Sequence, residues 1–114
     1  SVSLHDAARN AANAGAIAAA FASANYDALR GCFTDYLHQP YRAPLVPGLD
    51  AIIQAGVDAG AIGGWLSGSG STIACLTLGN AGQVASAMKE TSGFESAEVV
   101  ITTADNRGVT ITEG

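Results

Sequence analysis

The stretch Gly60-Ala61-Ile62-Gly63-Gly64-Trp65-Leu66-Ser67-Gly68-Ser69-Gly70-Ser71-Thr72-Ile73-Ala74-Cys75-Leu76-Thr77-Leu78 decides the fold of this chain. Ala61 to Leu66 reads as a short strand. Thr72 to Leu78, rich in β-branched and apolar residues, reads as a second. Between them, Ser67 to Ser71 holds two glycines. Glycine accepts positive φ and leaves no Cβ in the way of an approaching group. The expected product is an antiparallel pair closed by a tight turn.

Working outward, the sequence before this pair is helical. Leu49 to Ala59 places Ile52, Ile53 and Val57 on one face, with Gly60 as a C′ residue. Upstream, His38-Gln39-Pro40-Tyr41-Arg42-Ala43-Pro44-Leu45-Val46-Pro47-Gly48 contains all three prolines, within eight positions. Proline lacks an N–H and restricts its predecessor, so this is a stiff connector. A helix is expected before it, capped by Ser23 or Asn25 and running through Tyr26, Leu29, Cys32, Phe33 and Tyr36. Asp27 near its start suits the helix dipole. The first helix begins at a capping-box-like Ser3 and Asp6 and continues through Ile17 and Phe21. It carries seven alanines between Ala11 and Ala20, the best helix formers.

Downstream, Asn80 with Gln83 predicts another capping box. It opens a helix through Val84 and Met88 that stops near Gly93. Ala97 to Thr103 and Val109 to Thr112 read as strands around an Asp105-Asn106-Arg107-Gly108 turn. The order is three helices, two strands, one helix and a closing hairpin. Such an order implies an α+β fold, with helices packed on one face of a small antiparallel sheet. A sheet this thin leaves at least one edge to be covered.

Composition narrows the function. The chain has 114 residues, 5 basic and 10 acidic, and a net charge of −5. Lys89, Arg9, Arg30, Arg42 and Arg107 are scattered, which argues against a phosphate-tracking nucleic-acid surface. No apolar run approaches the roughly 20 residues of a membrane span, and the N-terminus lacks a signal-peptide pattern. Only 13% of residues are charged, against about 25% in typical soluble domains, so part of the surface is expected to be covered. Cys32 and Cys75 read as two thiols in a reducing compartment. With His5 and His38 they show no paired metal-ligand spacing, so no metal site is expected.

Two segments carry candidate chemistry. The turn of Ser67, Gly68, Ser69, Gly70, Ser71 and Thr72 is either a plain hairpin turn or an anion cradle of backbone N–H groups and hydroxyls. It has neither the Gly-Lys-Ser/Thr of a Walker A loop nor a G-x-G-x-x-G before a helix. In the connector, Arg42 is either a surface arginine or a planar fork for a carboxylate or phosphate. His38 is either a packed or capping histidine or a base.

Taken together, these segments carry a resemblance. Asp35-x-x-His38-Gln39-Pro40-Tyr41-Arg42-x-x-Leu45-Val46-Pro47-Gly48 followed by Gly60-Ala61-x-Gly63-Gly64-Trp65-Leu66-Ser67-Gly68-Ser69-Gly70-Ser71-Thr72 resembles the C-terminal part of the GHMP kinases, within them the homoserine kinases. The glycine-rich turn is similar to that family's third motif. Order, spacing and flanking elements agree over essentially the whole chain.

The resemblance implies a ferredoxin-like C-terminal domain, residues 1–114, of a two-domain kinase. The parent would transfer the γ-phosphate of ATP, brought with Mg²⁺, to the hydroxyl of L-homoserine, a step of threonine biosynthesis in the cytoplasm. Arg42 would bind the substrate carboxylate, His38 would line the cleft, and Ser67 to Thr72 would lie near the phosphates. Ser71 stands where the family usually has proline. The family's P-x-x-x-G-L-G-S-S-A phosphate loop does not occur in these residues. Its opening C-terminal strand and a second arginine segment are also expected upstream of Ser1. The isolated chain is therefore expected to bind no cofactor of its own and to be inactive. Its partners would be the N-terminal domain and a second copy, with no nucleic acid and no membrane. Two other readings fit the same residues. One is another GHMP kinase acting on a different small alcohol, the other a free-standing, non-catalytic ligand-binding or assembly domain.

Overall fold

The computed structural model describes residues 1–91 and 93–112. Its elements are α1 (Leu4–Ala22), α2 (Gln39–Arg42), α3 (Leu49–Asp58), β1 (Gly63–Leu66), β2 (Ile73–Leu76) and α4 (Ala81–Lys89). Short 3-10 turns at Tyr26–Leu29 and Ala43–Leu45 join the helices. The fold is α+β, as the sequence implies.

The deciding stretch folds as expected. β1 and β2 pair antiparallel, with Gly63 opposite Leu76, Gly64 opposite Cys75, Trp65 opposite Ala74 and Leu66 opposite Ile73. α3 ends as its Gly60 requires. Gly60 adopts a φ of 107°, its N–H bonds the Val57 carbonyl, and the Ala61 N–H bonds the Gly56 carbonyl. Those two bonds satisfy carbonyls that the helix end would otherwise leave open. α1 starts at the expected box. The Ser3 hydroxyl accepts from the Asp6 N–H and donates to the Asp6 carboxylate.

Side chains alternate across a strand, and the glycines show what meets each face. A Cβ on Gly64 would strike Cys75 Sγ and Ile53 of α3. A Cβ on Gly56 of α3 would strike Cys75 and Met88 of α4. The α3–α4 layer thus lies on the Gly64–Cys75 face, close enough that only glycine fits. On the Gly63 side, a Cβ would collide with the Phe33 ring, which stacks on Trp65 at a centroid distance of 4.9 Å. Ala20, Leu29 and Ile62 form a buried cluster, with Ile17, Phe33 and Leu76 packed against it.

Four sequence expectations are corrected. The helix expected through Tyr36 stops after one 3-10 turn, because Arg30 swings to a ψ of 129° and Gly31 follows with a φ of 78°, which together take the chain out of helical geometry. The stiff connector is itself helical. Pro40 and Pro44 sit in the first turns of their elements, where the missing N–H costs nothing. The capping box at Asn80 does not form. Asn80 lies at a φ of 45°, and its side chain instead donates to the Ala59 carbonyl at 2.7 Å and accepts from Thr77 Oγ1 at 2.8 Å. It ties the start of α4 to the end of α3.

The closing hairpin is the fourth. Residues 97–112 form no strand. The turn chemistry is present: Gly108 has a φ of 72° and the Arg107 N–H bonds the Asp105 carboxylate. The ladder is not. Val109 is 96% and Ile111 93% exposed, so neither face of the would-be hairpin rests on a core. A hairpin without such a face is marginal in water.

Candidate functional site

Asp35 organises the approach to α2. Its carboxylate accepts from the N–H groups of Leu37 at 2.7 Å, His38 at 3.2 Å and Gln39 at 2.7 Å. Partial burial pushes this carboxyl upward, but the N–H groups of Leu37, Gln39 and His38, with the His38 side chain nearby, outweigh it. The net pKa lies below the ordinary carboxylate value.

α2 then spans one turn, with Gln39 at its start and Arg42 at its end. Both reach the glycine-rich segment. Gln39 Oε1 accepts from the Leu66 N–H at 2.9 Å, at the last residue of β1. Arg42 donates from Nε at 3.2 Å and from Nη2 at 2.6 Å to the Ser69 carbonyl, at the tip of the turn. The structure therefore brings the two candidate segments together.

The turn is closed by its own backbone. The Ser67 N–H bonds the Thr72 carbonyl at 2.8 Å, and the Gly70 N–H bonds the Ser67 carbonyl at 3.2 Å. Gly68 and Gly70 take φ values of 59° and 92°, a region that favours glycine. The N–H groups of Gly68, Ser69 and Ser71 have no protein partner among the described residues. Ser67 to Thr72 are all exposed. These are the donors that an anionic oxygen needs. Arg42 keeps Nη1 and one Nη2 hydrogen free of these bonds, enough for end-on contact with a carboxylate.

His38 is not drawn in. It stands at the N-cap position of α2, is exposed, and its ring makes no hydrogen bond among the described residues. Its backbone serves the Asp35 turn. Gln39 is the residue that sequence reasoning passed over. The signal was an aspartate followed four positions later by Gln-Pro, which announces a capped first turn.

Beside α2 lies an open cavity of about 330 Å³ lined by Asn10, Asn13, Phe33, Asp35, Gln39 and Trp65, among others. Asn10 and Asn13 hold the loop that carries Asp35. Asn10 Oδ1 accepts from the Tyr36 N–H, and Asn13 Nδ2 donates to the Thr34 carbonyl. Both cysteines are free thiols, and burial pushes the Cys75 thiol pKa up. No cluster of three or more potential metal ligands occurs among the described residues. The open turn N–H groups are donors of the kind that phosphate or carboxylate oxygens accept from. No described helix is long and apolar enough to cross a membrane.

Comparison with known proteins identifies the family and the fold. Residues 7–92 match the family model described as GHMP kinases C terminal. Homoserine kinase of Persephonella marina is 39% identical over 98 residues, covering 86% of this chain and 32% of that protein. Homoserine kinase of Aquifex aeolicus is 37% identical over 114 residues, covering 96% and 38%. The crystal structure of homoserine kinase from Cytophaga hutchinsonii superposes with a TM-score of 0.72 at 30% identity, covering 78% of this chain and 29% of that one. The chain thus spans about a third of the length of the curated relatives it matches. With a family match from residue 7 to residue 92 and the same fold in a solved relative, this chain belongs to the GHMP kinase C-terminal family.

Proposed function

We propose that this chain is the C-terminal domain of a homoserine kinase, which transfers the γ-phosphate of ATP to the hydroxyl of L-homoserine. The observation that carries the reading is the Arg42–Ser69 contact. It sets a guanidinium suited to an amino-acid carboxylate against a turn whose open N–H groups suit phosphate. Phosphoryl transfer needs both ends of the reacting pair held in line. Arg42 binds and orients the substrate carboxylate, while Gly68, Ser69 and Ser71 offer N–H donors toward the nucleotide side. The relatives' names support the substrate class.

In this reading the phosphate loop, the Mg²⁺-bound ATP and most of the reacting geometry belong to an N-terminal domain. This chain alone is inactive. The exposed apolar residues Leu4, Phe21, Val100, Val109 and Ile111 support a surface that is covered in the assembled enzyme. The decisive test is a coupled ATP assay with L-homoserine on the full-length protein and on the 114-residue chain. Turnover is expected from the first only. A full-length protein that phosphorylates another small alcohol in preference to homoserine would move the assignment elsewhere in the family. A native protein beginning near Ser1, with no phosphate loop, would end the kinase reading.

A further inference from the structure

The glycine-rich turn is held to α2 at two points, and only one of them is a charged group with a ligand-binding use. Arg42 holds the tip, at the Ser69 carbonyl. Gln39 holds the base, through the Leu66 N–H. Leu66 is buried, at 6% exposure, while the turn itself is exposed throughout. The base contact is part-buried, at the edge of the open cavity that Gln39 and Leu66 both line, where an unpaired N–H still carries a cost. Gln39 is fixed in its turn, because its own N–H is held by Asp35. The chain of contacts runs Asp35, Gln39, Leu66, and then into Ser67, whose N–H closes the turn. Gly70 also leaves Leu66 close by: a Cβ there would stand 3.2 Å from Leu66 Cδ1.

We propose that Gln39 is a positioning residue for the turn. By anchoring the backbone of Leu66, it sets the direction in which the open N–H groups of Gly68, Ser69 and Ser71 leave the sheet, while Arg42 stays free to meet substrate. This rests on the homoserine kinase reading for its kinetic consequence, and on the structure alone for the anchor.

The test uses the full-length protein carrying Gln39→Met, which keeps the length and removes the amide acceptor, and Gln39→Glu, which retains an acceptor oxygen. Three quantities are measured: hydrogen exchange of the segment from Ala61 to Ile73, KM for ATP, and KM for L-homoserine. Gln39→Met should speed exchange across this segment and raise KM for ATP roughly tenfold, the ratio expected for one lost hydrogen bond to a part-buried amide. KM for homoserine should stay within about twofold, since Arg42 is untouched. Gln39→Glu should restore both exchange and KM for ATP. A purely structural role would lower the amount of folded enzyme and leave both KM values alone. Unchanged exchange in Gln39→Met overturns the anchor. Faster exchange with an unmoved KM for ATP overturns the positioning role. If wild-type protein does not phosphorylate homoserine, the functional reading fails, and exchange together with nucleotide binding by calorimetry decides the role of Gln39.

Discussion

The Arg42 guanidinium donates two hydrogen bonds to the carbonyl oxygen of Ser69, 27 positions further along the chain. In the proposed function, Arg42 does two jobs from one planar group. Its Nε edge braces a turn, and its outer edge remains open. Losing both jobs differs from losing one. In the full-length enzyme, Arg42→Ala should cost about 2–4 kcal/mol of substrate binding, raising homoserine KM roughly 30- to 700-fold. Arg42→Lys should recover part of the charge but not the paired geometry. Steady-state kinetics on both variants check this, and an unchanged homoserine KM in Arg42→Ala removes the carboxylate role.

Asp35 makes the start of α2 sensitive to acid. Its folded pKa lies below the ordinary value, so ionised Asp35 contributes stability that is present in full above the unfolded value of about 3.9. That contribution is lost as the pH falls from there through the folded value. Asp35→Asn should lie below wild type in stability at neutral pH, and the gap should close as the solution is acidified beneath about pH 3.9. The effect is modest, since the group is partly exposed. Thermal melts across pH for the two proteins test it. A gap that persists unchanged in acid would show that the carboxylate charge is not what holds the turn.

Gly63 has no room for a side chain. A Cβ there would run into the Phe33 ring, so Gly63→Ala must displace the ring or the strand. Overpacking of this kind costs about 1–3 kcal/mol. Trp65 is the only tryptophan and stacks on that ring with an interplanar angle of 13°. Its fluorescence should shift in the variant along with the loss of stability. A variant with wild-type emission would mean that Phe33 had not moved.

Leu29 is fully buried, at 0% exposure, between Ala20 and Ile62. Leu29→Ala should destabilise by about 2–5 kcal/mol, because Leu29 is the buried residue through which its 3-10 turn enters the core. Denaturant unfolding measures this. A loss under about 1 kcal/mol would mean that the site collapses around the smaller residue.

The 114-residue chain should self-associate. Val109 and Ile111 stand almost wholly in solvent, and sequences with strand propensity but no ladder tend to find one in another chain. Light scattering should show dimers or larger species at high concentration. A monomer throughout would count against the expectation.

Much of the fold was legible because its signals were local. The capped start of α1, the Gly60 stop of α3 and the two strands around the glycine-rich turn depend on a few adjacent residues. The failures have non-local causes or competing local ones. Arg30 and Gly31 ended a helix whose apolar spacing looked continuous. Asn80 gave its side chain to Ala59 rather than to its own helix, a choice visible only once α3 lay beside α4. The strands expected beyond Ala97 needed a face to rest on, which no local pattern can supply. For the site, the segments and Arg42 were readable as residue types. Their contact was not, because a hydrogen bond from the Leu66 N–H to the Gln39 side chain spans 27 positions and leaves no periodic trace. His38 stood out as a titratable residue, yet only its main chain makes a hydrogen bond there.

The paired glycines Gly63 and Gly64 leave the molecule a single backbone thick between α3 and the Phe33–Trp65 stack. No side chain at those positions can bend to absorb a displacement. A push on Ile53 or Cys75 from one side must therefore be passed to the aromatic pair on the other as a movement of the strand itself. Trp65 is then a built-in gauge for the far layer, so substitutions in α3 that never touch the cavity should still register in its emission.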